Sequence, residues 1–391
     1  MGVIRSEVVG SLLRPDYLKD ARPRMEAGDL DAAAFKRIED RAVDEAVHLQ
    51  KKCGVDVVTD GEQRRIAFTT HFMEAVEGYD RSGVWTITFR DEAGGEVHST
   101  RPVVVEKLRW RHSMCAEEWV YLRARIGRAG GADGAGGADG GDGGEGAEVA
   151  AKVSLVGAQQ AAAYYDAERS KGAYPTVEAY LADVVDITRR EIAELARLGC
   201  TYVQIDSPQY AALLNPDIRR GYRERGSDPD WLLDQCIELD NAIIAGHPAM
   251  TFGLHICRGN AQSMFYASGG YEPIARIFER TRFQRFLLEY DDQRSGDFEP
   301  LGHVPEDRVV VLGLVTTKKP KLESEEQLKR SIDQACRYVP LERLALSPQC
   351  GFASAWAGNR LTESDQRGKL ELVARVARSV WGAGAAATGT R

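Results

Sequence analysis

Short β-branched runs alternate along this chain with longer stretches in which apolar residues recur every three or four positions. Eight runs read as strands: residues 6–10, 55–59, 153–156, 202–205, 251–256, 286–289, 309–314 and 344–347. The spacing predicts a helix over 31–53, with Phe35, Ile38, Ala42, Val43, Ala46 and Val47 on one side and Gly54 as its stop. Further helices are predicted over 176–198, 230–244, 323–338 and 362–381, their starts marked by Thr, Asp or Ser. Strands separated mostly by helices imply parallel pairing through crossovers, and eight of them close a barrel more readily than they build an open sheet. No Gly-x-Gly-x-x-Gly follows the first run, so the dinucleotide-binding open sheet has no support. The expected fold is α/β, a single (β/α)₈ TIM barrel.

One stretch breaks the alternation. Residues 84–90 and 103–109 alternate like a β-hairpin, 119–126 reads as its continuation, and 129–148 contain only Gly, Ala, Asp and Glu. Such a segment has no apolar surface to offset its backbone entropy. We therefore expect one catalytic domain over 1–391, carrying an insertion at about 80–150 with a disordered loop at 129–149. Of the net charge of −8, five negative charges and no positive one fall in that segment, so the rest is nearly neutral. No basic block is long enough for nucleic acid, and no apolar run suits a membrane span or a signal peptide. The seven cysteines, an odd and scattered set, suggest a reducing compartment, and a cytoplasmic location is expected. A homo-oligomeric state is left open.

In a barrel, chemistry belongs where strands end. There the fifth run ends in His255-Ile256-Cys257, whose first and third side chains share a face; the sixth ends in Glu289, and Cys350 follows the eighth. An N/S/O/S donor set of this kind suits tetrahedral Zn²⁺. Taken singly, a strand cysteine is more often a small hydrophobe, and a lone histidine carries no more weight. Glu289 is harder to dismiss, because a carboxylate following Phe286-Leu287-Leu288 needs something positive to meet it. Spacing alone is equally compatible with packed strand ends. Cys53, Cys115, Cys200, Cys236 and Cys336 read as structural.

Several segments together make a specific pattern. They are Val9-Gly10-Ser11, Thr59-Asp60-Gly61-Glu62, Gln204-Ile205-Asp206, His255-Ile256-Cys257-Arg258-Gly259-Asn260, Arg294-Ser295-Gly296-Asp297-Phe298-Glu299-Pro300-Leu301, Leu312-Gly313-Leu314-Val315-Thr316-Thr317-Lys318-Lys319-Pro320 and Ser347-Pro348-Gln349-Cys350-Gly351-Phe352. In these the chain resembles the C-terminal catalytic barrel of cobalamin-independent methionine synthases, most nearly the stand-alone single-barrel members. The resemblance implies that His255, Cys257, Glu289 and Cys350 are zinc ligands. It implies that Gly10 and Ser11 hold the substrate amino acid's carboxylate, and that Glu62 and Asp206 hold its ammonium group. Without it, Glu62 and Asp206 read equally well as salt-bridge partners of neighbours such as Arg64. It also sets Lys318 where the synthases carry a proton-transferring histidine, so Lys318 and Asp206 are the catalytic candidates.

The implied chemistry follows from charge. A free thiol with a pKa of about 8.5 is mostly protonated at neutral pH, whereas Zn²⁺ deprotonates it, and two cysteinates offset the ion's charge and keep the substrate sulfur electron-rich. The resemblance thus implies a zinc-dependent methyltransferase, similar to the 5-methyltetrahydropteroyltriglutamate–homocysteine S-methyltransferases. Its partners would be homocysteine or a similar small thiol and a methyl donor. Two departures bear on the donor: no second barrel is expected, which weakens the case for folate, and Ser207 follows Asp206 where the synthases have an acid. Competing expectations are alkylation of another thiol, as in epoxyalkane–coenzyme M transferases, a metal-free lyase, and a non-catalytic zinc-binding barrel. Trp231 and Trp356 could stack on a flat donor, but packing or loop cover is the preferred reading of each.

Overall fold

The computed structural model describes residues 4–127, 149–224 and 226–382. The Gly-rich segment 129–148 therefore lies outside the described residues. Six parallel strands form one continuous sheet: Val153–Val156, Tyr202–Asp206, Thr251–Ile256, Arg285–Glu289, Val309–Val315 and Leu344–Pro348, each beside its predecessor. These are the third to eighth staves of a barrel. Its closure runs through short parallel contacts, Ser6 with Leu346, Glu7 with Val57, and Val57–Val58 with Ala150–Ala151, which lead directly into the third stave. The ring is complete, and its first two staves are shorter than the sequence predicts. The cause is local: Asp56 accepts hydrogen bonds from the backbone N–H of Arg5 and Ser6, each at 2.8 Å, and Ser6 Oγ accepts from Asp56 N at 3.1 Å. The Asp56 carboxylate thus takes up the N–H groups of Arg5 and Ser6, while Asp56 N also donates to Ser6 O at 3.0 Å.

The helices begin and end for identifiable reasons. Ala32–Cys53 starts at Asp31, whose carboxylate accepts from Ala34 N, and stops at Gly54, which adopts φ 80°. Val177–Arg197 and Glu325–Ala335 are capped by Thr176 and Ser324, and Glu363–Trp381 opens with a reciprocal Thr362/Asp365 capping box. Inside the barrel, Val9, Leu287, Val311 and Ala345 pack together. At its N-terminal end Glu7 is wholly buried, bonded to Lys152 (2.5 Å), Arg285 (2.6 Å) and Tyr202 (2.8 Å).

The insertion is a long hairpin, Val76–Arg90 against Glu96–Trp110, antiparallel and irregular near residues 80–85. Its tip is tied to loops of the barrel mouth: Arg90 pairs with Phe265, Asp91 with Arg360, and Glu92 with Lys319. Residues 119–126, expected to continue the hairpin, belong instead to the helix Ala116–Ile126. Trp119 and Leu122 are buried three positions apart, a helical repeat masked by the β preference of Trp119, Val120 and Tyr121. No helix among the described residues is long and apolar enough to cross a membrane.

Candidate active site

The fifth strand ends at Ile256, so His255 and Cys257 emerge on the same side of the C-terminal mouth. Cys350 arrives from the loop after the eighth strand. That loop crosses the Gly10-Ser11 segment closely: a Cβ on Gly351 would stand 2.6 Å from Ser11 N, and Phe352 N donates to Ser11 O at 2.6 Å. Only glycine allows this crossing, which sets Cys350 against the first stave. The ligand atoms of His255, Cys257 and Cys350 all lie within 4.8 Å of one another.

The local electrostatics suit a cation. His255 Nδ1 is held by Leu287 O at 3.1 Å, leaving Nε2 buried without a hydrogen-bond partner among the described residues. A backbone carbonyl on one nitrogen fixes the tautomer that frees the other as a donor atom. The two thiols are pushed apart in pKa: Cys257 first, and then His255, draw Cys350 well below the ordinary thiol range, while Cys350 and burial push Cys257 well above it. Two thiolates this close need a positive charge between them. The donor set therefore fits a metal ion of the zinc type.

Glu289, expected as a fourth ligand, lies outside this three-residue group. Its Oε2 accepts from Arg258 N at 2.5 Å, while Oε1 faces Lys318 Nζ at 3.3 Å and Arg294 at 3.4 Å. Burial would push its carboxyl up, but Lys318, Arg258 and Arg294 reverse that and hold it at about 2. The positive partner that the run Phe286-Leu287-Leu288-Glu289 demands is thus a ring of cations. Lys318 is buried, and burial would lower its pKa, but Glu289 and Asp291 raise it. Both groups are charged as the chain stands.

Glu62 and Asp206 share the cavity with the donor set. Glu62 is 2% exposed and has φ 52°, an uncommon and strained backbone for a non-glycine residue. Its carboxylate accepts from Ser11 Oγ, from Ser154 Oγ at 2.5 Å and from Arg65 at 3.4 Å. Of the neighbouring arginines it is Arg65 that forms the ion pair with Glu62, as the salt-bridge reading expects of a neighbour, while Arg64 pairs with Asp40. Asp206 stands beside His255 in the strand register and accepts from Gln204 at 2.7 Å. Burial raises its carboxyl to about 7, and Glu62 adds to that while His255 opposes it.

The cavity encloses about 1010 Å³, counted out to its open mouth, and Gly10, Ser11, Glu62, Asp206, His255, Cys257 and Cys350 all line it. Ile87, Phe89 and Arg101 of the hairpin also line it, and nothing in the sequence marks that hairpin as a roof. Asn260, quoted above only as part of a motif, bonds Gly351 O at 2.6 Å and Thr317 Oγ1 at 3.3 Å, tying together three mouth loops. Neither tryptophan lines the cavity: Trp231 is exposed, and Trp356 packs under Arg14 and Arg22.

A closed α/β barrel with a His/Cys/Cys donor set and two buried acids in its C-terminal mouth defines a barrel enzyme with a candidate metal centre. Residues 175–364 match the family described as cobalamin-independent synthase, catalytic domain. YxjH of Bacillus subtilis, an uncharacterized protein, is 34% identical, the match covering 96% of this chain and 94% of that protein. A methionine synthase of Pyrococcus abyssi is 24% identical, covering 90% of this chain and 86% of its own length. Among solved structures, one from Listeria monocytogenes, titled a putative vitamin-B12-independent methionine synthase, has a TM-score of 0.71 at 25% identity and covers 98% of this chain and 99% of its own. A B12-independent methionine synthase of Shewanella sp. W3-18-1, solved with selenomethionine, shares the fold with a TM-score of 0.70 at 20% identity, covering 97% of this chain and 98% of its own. The chain belongs to the cobalamin-independent methionine synthase family, and it is a methyltransferase.

Proposed function

We propose that this protein transfers a methyl group to the thiol of homocysteine or a closely similar small amino-acid thiol, with residues 1–391 acting as one catalytic unit. One observation carries the reading: three converging N/S/S donors face the same cavity as two buried carboxylates. A zinc ion held by His255, Cys257 and Cys350 would lower the acceptor thiol's pKa and supply thiolate at neutral pH. Glu289, the proposed fourth ligand, has both oxygens engaged, by Arg258 N, Lys318 and Arg294, and would join the set through a remaining lone pair or by exchanging one of these partners.

The chain's own residues do the positioning. Glu62 and Asp206 attract the ammonium end of a zwitterion, while Gly10 and Ser11 offer backbone N–H groups to its carboxylate. Holding both ends leaves the thiol one orientation, so that binding energy is converted into alignment with the incoming methyl group. Lys318 remains the proposed proton donor to the leaving group; charged and buried, it pairs with Glu289 and lines a separate pocket with Asp291 and Arg294 rather than this cavity. Two acids in the acceptor region disfavour a sulfonated thiol, which sets this reading above coenzyme M alkylation. The test is a matrix of zinc-loaded enzyme with homocysteine, cysteine and coenzyme M against methylfolates, methylcobalamin and small methylated compounds. Methionine formation from homocysteine is expected, and turnover confined to the sulfonated thiol would overturn the reading.

A further inference from the structure

The cavity has a charge at its roof that the acceptor does not use. Arg101 stands in register with residue 85, so it shares a hairpin face with Ile87 and Phe89, the face turned into the cavity. It is half-buried, and its Nε is fully buried without a hydrogen-bond partner among the described residues. Other hairpin arginines are engaged: Arg90 with Glu96, Arg109 with Glu77, and Arg81 with Met73 O. Arg101 makes no ion pair among the described residues. Its terminal nitrogens make no hydrogen bond among the described residues, so a guanidinium lining the cavity keeps free donors for an anion that enters it. Around it the wall is aromatic and apolar, with Phe68, Phe89, Tyr222 and Tyr266. The acids Glu62 and Asp206 belong to the barrel's strand-end side. The cavity is therefore bipolar, acidic at the barrel and cationic at the hairpin.

We infer that Arg101 binds an anionic group, a carboxylate, sulfonate or phosphate, on the methyl donor, whose flat apolar body lies against the aromatic wall between the hairpin and the barrel. The inference rests on the methyl-transfer reading and adds the donor's chemical class. A planar guanidinium matches such anions in two-point contact. The acceptor's ammonium and the donor's anion would then occupy opposite ends of one cavity, which keeps the two substrates from exchanging places.

The test measures binding without turnover, using 2-naphthoate and its neutral analogue 2-naphthamide on the zinc-loaded full chain by equilibrium dialysis. Wild-type protein should prefer naphthoate by about tenfold or more, the range expected of a charge-assisted hydrogen bond. Arg101→Met should abolish that preference, and Arg101→Lys, which keeps the charge, should retain part of it. Equal binding of the two probes by wild type, or an unchanged preference in Arg101→Met, would overturn the inference. A homocysteine competition arm separates the sources of the anion: if Arg101→Met weakens homocysteine as much as naphthoate, the acceptor's carboxylate occupies Arg101 and the inference falls. Cys257→Ser should keep the naphthoate preference, so failure of the metal reading and failure of the anion site give different results.

Discussion

Replacing Glu7 by Gln removes the only acid that, among the described residues, is bonded to both Lys152 and Arg285 at the closed end of the barrel. Glu7 has no exposed surface, and its partners stand at 2.5 Å and 2.6 Å. Burial alone would raise its carboxyl, but Lys152 and Arg285 more than reverse that and hold it at about 2, against an ordinary 4.5. A drop of that size corresponds to about 3 kcal/mol of stability at neutral pH. Breaking a buried ion pair by deleting one partner gives a similar figure, about 3–5 kcal/mol. For a chain of 391 residues, an unfolding entropy of roughly 0.8 kcal/mol/K makes this about a 4 °C fall in Tm. The sign of the pH dependence is fixed. A depressed carboxyl stabilises above its unfolded value near 4.5, and the contribution is lost as pH falls from there toward 2. Calorimetry of wild type and Glu7→Gln from pH 7 to pH 3 should show a gap that is constant at the upper end and at least halved at the lower. Methyl-transfer activity of the folded variant at 25 °C should be unchanged. A Tm within 1 °C of wild type at pH 7, or a gap that persists undiminished to pH 3, would refute the reasoning.

Other consequences concern the mouth. Cys257→Ser and Cys350→Ser should each lower zinc content and abolish transfer while far-ultraviolet circular dichroism stays that of wild type, because both residues follow strands rather than packing inside the barrel. Glu289→Gln should weaken zinc binding less than either cysteine change in a chelator competition, since its carboxylate is engaged by Lys318, Arg294 and Arg258 N. Glu62→Gln should raise KM for homocysteine tenfold or more with zinc content unaltered, as read by steady-state kinetics and metal analysis on the same preparation.

How far the sequence reveals this protein depends on whether a feature is local. The strands Val153–Val156 and Thr251–Ile256 have the bounds their β-branched runs predict, and the helix caps at Asp31, Thr176 and Thr362 are visible as single residues. His255 and Cys257 share a face because they are two apart on a strand, a relation that holds in any fold. The pairing of Glu289 with Lys318 spans 29 positions and depends on the barrel's curvature, so only the need for a positive partner is legible beforehand. Residues 119–126 misled because Trp119, Val120 and Tyr121 suit strands, whereas the helical spacing of Trp119 and Leu122 decided the outcome. Arg101 was silent for another reason: periodicity shows that a hairpin forms but not where its tip docks, and that docking on Phe265, Lys319 and Arg360 is what turns the arginine into the cavity.

The central claim is that His255, Cys257 and Cys350 hold a metal that activates a substrate thiol. Zinc K-edge X-ray absorption on the zinc-loaded protein, with and without homocysteine, tests it most directly. The account predicts one zinc per chain with two sulfur neighbours at rest and a third when homocysteine is present. A stoichiometry unaffected by Cys350→Ser, or a sulfur count that no small thiol changes, would contradict it.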